Sequence, residues 1–233
     1  MVKVTYIYHS GFLVELEEAV CLFDYYKEEI PEHDQNKPLY VFVSHRHKDH
    51  FNPVIFELAK THSTVYYILA SNIPKRRIPE EITPIVMSEN EKIQVGSCQI
   101  RTLHSTDCGV AFIVEYKGYK IYHAGDLNWW HWNEESDQYN EKMKDDFRRE
   151  IDKLKDEEFD IAFLTLDPRQ KDKYDLGLDY FMQTTHTKWA CPMHCWENYS
   201  ICTKIKEEKK TELYRDRLAT LKGKGQVFQL GTG

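Results

Sequence analysis

No apolar run in the 233 residues approaches the roughly 18 needed to span a bilayer, which excludes a transmembrane helix. The opening MVKVTYIYHSGFLVEL lacks the charged, then apolar, then small pattern of a secretory signal, so a cytoplasmic location is expected. Positive charge is not in excess. The formal net charge is −7, which disfavours a broad nucleic-acid face. The six cysteines, Cys21, Cys98, Cys108, Cys191, Cys195 and Cys202, show no framework spacing and read as reduced thiols. There is no internal repeat and no low-complexity linker, so a single domain over 1–233 is the simplest organisation. What is abundant is histidine. The chain has 11, and several are clustered.

Period-two alternation and short apolar runs predict strands at Val2–Tyr8, Phe12–Leu16, Val20–Phe23, Leu39–Val43, Val65–Leu69, Ile93–Val95 and Gln99–Leu103. Val110–Tyr116 and Tyr119–Tyr122 read as a hairpin turning on Lys117-Gly118. Further strands are expected at Ile161–Leu166, Trp189–Pro192 and Gln226–Leu230. Helical patterns run from the Asn52 cap to about Lys60, and over Asn140–Lys155, Leu178–Thr185 and most of Ser200–Leu221. Strands dominate the first half and alternate with helices in the second, which suggests two packed sheets with helices outside.

The informative motif is Ser44-His45-Arg46-His47-Lys48-Asp49-His50, directly after the apolar strand YVFV. In extended chain, alternate side chains share a side, so His45 and His47 can face one metal. Asp49 and His50 come where the chain bends toward the Asn52 cap and can serve another. Imidazole with carboxylate suits zinc, with manganese, iron or nickel as substitutes. His104, Asp126 and His194 each follow a predicted strand, as the motif does. A lone histidine after a strand is more often structural, and a Gly-Asp pair more often a turn. With HxHxDH upstream, the metal reading outweighs both.

This ligand order resembles the metallo-β-lactamase superfamily across nearly the whole chain. Asp24 after the strand CLF matches that family's early buried aspartate. The stretches IYHSGFLVE and LHSTDCGVAFIVEYKGYKIYHAGD look like the branch holding ascorbate-6-phosphate lactonase and N-acyl-phosphatidylethanolamine phospholipase D. The resemblance implies an α/β fold, a four-layered αββα sandwich. It implies two zinc ions, the first on His45, His47 and His104, the second on Asp49, His50 and His194, with Asp126 bridging. Asp49, Asp126 and His194 would serve catalysis, and a bridging hydroxide would attack a small ester, lactone or phosphodiester. Asp24 would hold a ligand histidine from behind. Two dications with two carboxylates leave the site cationic, so an anionic small molecule is the expected substrate.

Around this set, His9, Trp129, Trp130, His131 and Arg169 are candidates for the substrate pocket. Each has a plainer reading. The Trp129–Trp132 segment could instead anchor the next helix, Asp167-Pro168-Arg169 could be a surface turn, and His9 could make a structural hydrogen bond. His123 reads as packed, and His33, His62 and His186 as surface residues. Cys195 beside His194 reads as core, since neighbours on a strand point to opposite faces. The charged stretch Asp137–Glu158 is a solvated helix face or, in the other reading, a contact in a homo-oligomer.

Three alternatives to a hydrolase carry weight. An iron-dependent redox member is disfavoured because di-iron members usually place glutamate at the position of His47, although a single-iron thiol oxidation would keep the histidine. A metal-dependent binding or sensor protein could afford to lose ligands, and this set is complete. A nuclease is disfavoured by the acidic balance, the short chain and the absence of glycine shortly after the motif, where Phe51-Asn52-Pro53 stands.

Overall fold

A computed structural model describes residues 1–231. Its contacts cluster into two compact units, one of Met1–Ser88 with the segment from Gly223, the other of Glu89–Lys222. No helix among the described residues is long and apolar enough to cross a membrane.

The first unit is built on β1 (Val2–Tyr8), β2 (Gly11–Glu15), β3 (Val20–Phe23), β4 (Leu39–Val43), β5 (Val65–Ala70) and β6 (Ile85–Met87). With the C-terminal strand Val227–Leu230 outside β1, they form one sheet in chain order. The pairs β1–β2 and β2–β3 are antiparallel, while β3, β4, β5 and β6 run parallel. Every residue of β3 and β4 is buried, which explains their unbroken apolar runs. On one face Leu13, Leu22, Val41 and Leu69 pack with Ile55 and Phe56 of the segment Pro53–Lys60. That segment is a 3-10 helix rather than an α-helix, and the Asn52 side chain caps it by accepting from Val54 N at 3.1 Å.

The second unit opens with β7 (Lys92–Val95), β8 (Cys98–His104), β9 (Val110–Tyr116) and β10 (Tyr119–His123). It continues with β11 (Glu158–Phe159), β12 (Ile161–Thr165), β13 (His186–Thr187) and β14 (Ala190–Met193). The main sheet has the order β14-β12-β10-β9-β8-β7, and β11 pairs separately with β13. Lys117 and Gly118 both have positive φ, 46° and 87°, as the tight turn joining β9 to β10 requires. The described residues also form three α-helices, α1 (Asp137–Ile151), α2 (Leu176–Thr184) and α3 (Ser200–Glu207).

The sequence pattern misplaces two of these helices at their ends. Helix α1 begins three residues earlier than its apolar periodicity suggests, because Ser136 caps it by accepting from Tyr139 N. The long helix expected over Ser200–Leu221 stops at Glu207. Extended backbone at Glu208 breaks it, and only short 3-10 turns follow at Lys209–Thr211 and Arg215–Arg217. Thr211, Tyr214, Leu218 and Leu221 are nonetheless buried, so the segment is held by packing without a continuous helix.

Helix α2 packs closely beneath the segment after β10. A Cβ added at Gly177 would lie 2.0 Å from Asn128 Oδ1. Asn128 in turn donates to Gln170 Oε1 at 2.9 Å, and Gln170 donates to Trp129 O at 3.0 Å. Gly177→Ala is therefore expected to cost about 1–3 kcal/mol of stability through forced displacement of this network. Urea unfolding measures it, and an unchanged midpoint would show that Asn128 can swing aside freely.

Candidate metal centre

Both units place their polar residues at the carboxyl ends of parallel strands. In the first unit β3 and β4 are adjacent and parallel, so Asp24 and the motif Ser44–His50 leave the sheet side by side. Asp24 adopts φ 40° there, in the left-handed region. Its Oδ1 accepts from Ser44 N at 2.7 Å, and its Oδ2 accepts from Ser44 Oγ at 2.6 Å and from His50 Nδ1 at 2.7 Å. His45 Nδ1 lies 2.9 Å from Ser44 Oγ. Donor atoms of Asp24, His45 and His50 fall within 4.8 Å of one another.

His45 and His47 do not meet through extended alternation. The chain turns after His45, with His50 N and Phe51 N both donating to His47 O. This turn brings the ring of the exposed His47 to 4.6 Å from that of the buried His45, edge to face, and His50 to 4.1 Å from His45. His9, at φ 56° in the turn between β1 and β2, is buried and sits with Nε2 3.4 Å from Asp49 Oδ2. Gly11 lets the two turns approach, since a Cβ there would meet Tyr8 O at 3.0 Å and Asp24 O at 3.3 Å.

The second unit repeats the device. β10, β12 and β14 are parallel neighbours, and Asp126, Asp167 and His194 follow their carboxyl ends. His194 Nδ1 donates to Asp167 Oδ2 at 2.8 Å, and His194 Nε2 is 3.6 Å from Asp126 Oδ1. All three are buried. His104 ends β8 half-exposed, with Nδ1 on the carboxylate of Glu89.

Asp167 is the residue the sequence reading passes over. It is fully buried, not part of a surface turn, and it also accepts from Arg169 Nε at 3.0 Å and from Trp196 Nε1 at 3.3 Å. Its signal was available, because it follows the apolar run IAFLTL just as Asp24 follows CLF. Arg169 accordingly spends its guanidinium on Asp167, flanked by the rings of Trp132 and Trp196 at 5.8 and 4.8 Å.

The four residues from Trp129 to Trp132 divide. Trp129 turns inward to Phe147 of α1 and Tyr180 of α2, so it anchors the helices. Trp130 stacks on Trp132 with an interplanar angle of 7°, and its ring lies 5.8 Å from that of His194. His131, between them in the chain, is half-buried. His123 is packed as expected, accepting from Gly125 N. Cys195 is buried 3.8 Å from Cys202, and this contact together with burial pushes its thiol well above the ordinary range, unsuited to nucleophilic attack.

Burial, reinforced by His50, holds the His45 pKa well below its ordinary value. Burial alone would raise Asp49 and Asp167. The His9 hydrogen bond at Asp49, and those from His194 and Arg169 at Asp167, outweigh it and hold both below the usual carboxylate range. The signs fix a pH dependence for metal-free protein. Below about pH 6.5 the unfolded chain protonates His45 while the folded chain does not. Stability present above that pH is then lost as pH falls, at about 1.4 kcal/mol per pH unit. Asp49 and Asp167 add a second loss below about pH 4. Urea unfolding at pH 7, 6 and 5 checks the first loss, and equal stability at all three would show that His45 accepts a proton in the fold.

Buried histidine and carboxylate donors at strand ends define a class of α/β protein whose donor sets could hold metal ions. The particular family follows from comparison. The profile of the β-lactamase superfamily domain matches residues 3–142, more than half of the chain. The protein belongs to this superfamily. A metal-dependent hydrolase of Korarchaeum cryptofilum is 30% identical over 138 residues, a match spanning 54% of this chain and 60% of that protein. Among solved structures, a metallo hydrolase of Ignicoccus hospitalis has a TM-score of 0.65 at 16% identity, covering 99% of both chains. A metallo-β-lactamase fold protein of Bacillus subtilis has a TM-score of 0.60 at 12% identity, covering 98% of this chain and 100% of that one. The diiron β-hydroxylase CmlA of Streptomyces venezuelae scores 0.54 at 11% identity, over 83% of this chain and 44% of its own. These likenesses establish the metallo-β-lactamase fold. They leave the chemistry to the site.

Proposed function

We propose that the protein is a metal-dependent hydrolase that cleaves a small anionic ester, lactone or phosphodiester at a two-zinc centre. His45, His47 and His104 would hold one ion, Asp49, His50 and His194 the other, and Asp126 both.

One observation carries this reading. His45, His50, His104 and His194 are each engaged through Nδ1, by Ser44, Asp24, Glu89 and Asp167 respectively. Fixing Nδ1 orients the ring and makes Nε2 the common ligating atom, the usual support for a metal-bound imidazole. Four rings held alike, at three strand ends, fit the donor chemistry of zinc better than any structural role. Bound divalent metal would supply Lewis acidity and a water of lowered pKa, which removes the need for a serine or cysteine nucleophile.

The chain's own residues would do the rest. Asp126, buried with one oxygen 3.6 Å from His194 Nε2, would orient the attacking water and pass its proton to the leaving group. Asp49 stays ionised at neutral pH, as a ligand must. Trp130 and Trp132 give an apolar wall beside His194 that would exclude bulk water. The Korarchaeum relative, a metal-dependent hydrolase by name, supports the reaction class.

Elemental analysis paired with a hydrolysis screen tests the proposal. The substrates are a bis-nitrophenyl phosphate, a set of lactones and a phosphorylated sugar acid, each with and without chelator. About two zinc ions per chain and chelator-sensitive turnover are expected. Bound iron with no hydrolysis would move the reading to oxidative chemistry, and no metal under any loading condition would end it.

A further inference from the structure

Apart from the residues assigned to that centre, the first unit holds two histidines that meet nitrogen to nitrogen. His33 lies in the irregular segment between β3 and β4, and His62 follows the 3-10 helix Pro53–Lys60. His62 is buried at 7% exposure and His33 is half-buried, so neither is the plain surface residue its polar surroundings suggest. Their Nε2 atoms are 2.8 Å apart.

Their other nitrogens determine the chemistry. His33 Nδ1 lies 2.7 Å from Pro31 O, and His62 Nδ1 lies 3.0 Å from Leu58 O. A carbonyl oxygen only accepts, and the Thr61 hydroxyl, 3.1 Å from His62 Nδ1, donates its own proton to Leu58 O, so each Nδ1 carries the proton and each neutral ring presents a lone pair at Nε2. Two lone pairs at 2.8 Å repel unless a cation lies between them. An Nδ1–H held by a backbone carbonyl is also the arrangement that readies Nε2 for a metal. Beside the pair is a cavity of about 360 Å³, lined by both histidines and by Glu32, Gln35 and Thr61. It offers oxygen donors and room for water.

We propose that His33 and His62 form a second metal site, for one divalent transition ion, completed from this cavity by oxygen donors such as Glu32 and water. Metal–nitrogen bonds of about 2.0–2.1 Å place two cis or tetrahedral imidazole nitrogens roughly 2.9–3.3 Å apart. The pair must open by only a few tenths of an ångström, and His33 sits on a segment without regular structure that can yield. Mixed nitrogen and oxygen donors favour Cu²⁺ or Ni²⁺ over harder cations. An ion there would tie the segment holding His33 to the end of the 3-10 helix, whose cap, Asn52, already donates to Tyr26 O at 2.7 Å. This site stands independently of the hydrolase reading.

The test uses full-length protein, with His33→Gln and His62→Gln as variants and Ni²⁺ and Cu²⁺ as probes. Wild type should bind one more Ni²⁺ per chain than either variant, or bind that last ion at least tenfold more tightly. Zinc-loaded wild type given one equivalent of Cu²⁺ should show electron paramagnetic resonance splitting from two nitrogens, lost in both variants. Metal retained by the variants reports the HxHxDH centre separately, and thermal melting confirms that they fold. His33→Gln decides alone if the buried His62 tolerates no change. Equal metal content in all three proteins would overturn the proposal. Equal content with a wild-type melting temperature that drops as pH rises above about 6.5 would assign the shared cation to a proton instead.

Discussion

His45→Ala and Asp126→Ala are each expected to abolish turnover and to lower bound metal from two ions to one or none. Each removes a proposed ligand whose position is set by burial. His45 is fully buried at the end of β4, and Asp126 is 4% exposed after β10, so no neighbouring side chain can swing in from solvent to replace either. The Lewis-acid contribution at stake is several kcal/mol, about a thousandfold or more in rate. His50→Ala should lose metal as well, but with a difference. It strands the buried Asp24 carboxylate without its imidazole partner, so the variant should also lose stability, by about 3–5 kcal/mol if Asp24 stays ionised. Metal content by elemental analysis, turnover and urea midpoints separate the two effects. Full turnover by His45→Ala or Asp126→Ala would defeat the ligand assignment.

Asp167→Asn should weaken metal binding about 10–100-fold while leaving the fold in place. The asparagine is nearly isosteric, but it cannot offer two anionic oxygens to His194 Nδ1, Arg169 and Trp196 together. If its amide nitrogen turns toward His194, a donor faces a donor, and the ring shifts to the tautomer with hydrogen on Nε2. The ligating atom is then blocked. Competition with a chromophoric chelator measures the affinity, and circular dichroism checks the fold. Arg169→Gln provides the control, because it removes the outer ion pair and leaves the Asp167–His194 bond. A loss as large as that of Asp167→Asn would show that the guanidinium, not the carboxylate, governs the site. Unchanged affinity in Asp167→Asn would remove Asp167 from any positioning role.

Much of this arrangement was legible along the chain, for particular reasons. HxHxDH is local, and four donors in six residues after a buried strand have few structural explanations. The strands carrying these donors are short apolar runs that the side-chain period reveals directly, so β3, β4, β8 and β10 fall within a residue or so of their expected bounds. The hairpin at Lys117-Gly118 needs only local backbone sterics. Where the pattern was weak, it misled. The stretch Ser200–Leu221 has helix-forming residues throughout, but beyond Glu207 its buried side chains Tyr214, Leu218 and Leu221 pack from short 3-10 turns and extended backbone rather than from a helix.

By itself, then, the sequence determined the family, the order of the donors and their places at strand ends, because those depend on residue type and short-range periodicity. Only the tertiary structure decided which groups stand behind the donors. Asp24 reaches His50 across 26 positions and Asp167 reaches His194 across 27, in each case because two parallel strands lie side by side. Strand adjacency is a property of the sheet, not of any segment, and so is the inward turn that makes Trp129 an anchor while Trp130 lies against His194. The meeting of His33 with His62 has the same origin, since 29 positions separate two rings that packing alone brings to hydrogen-bond distance.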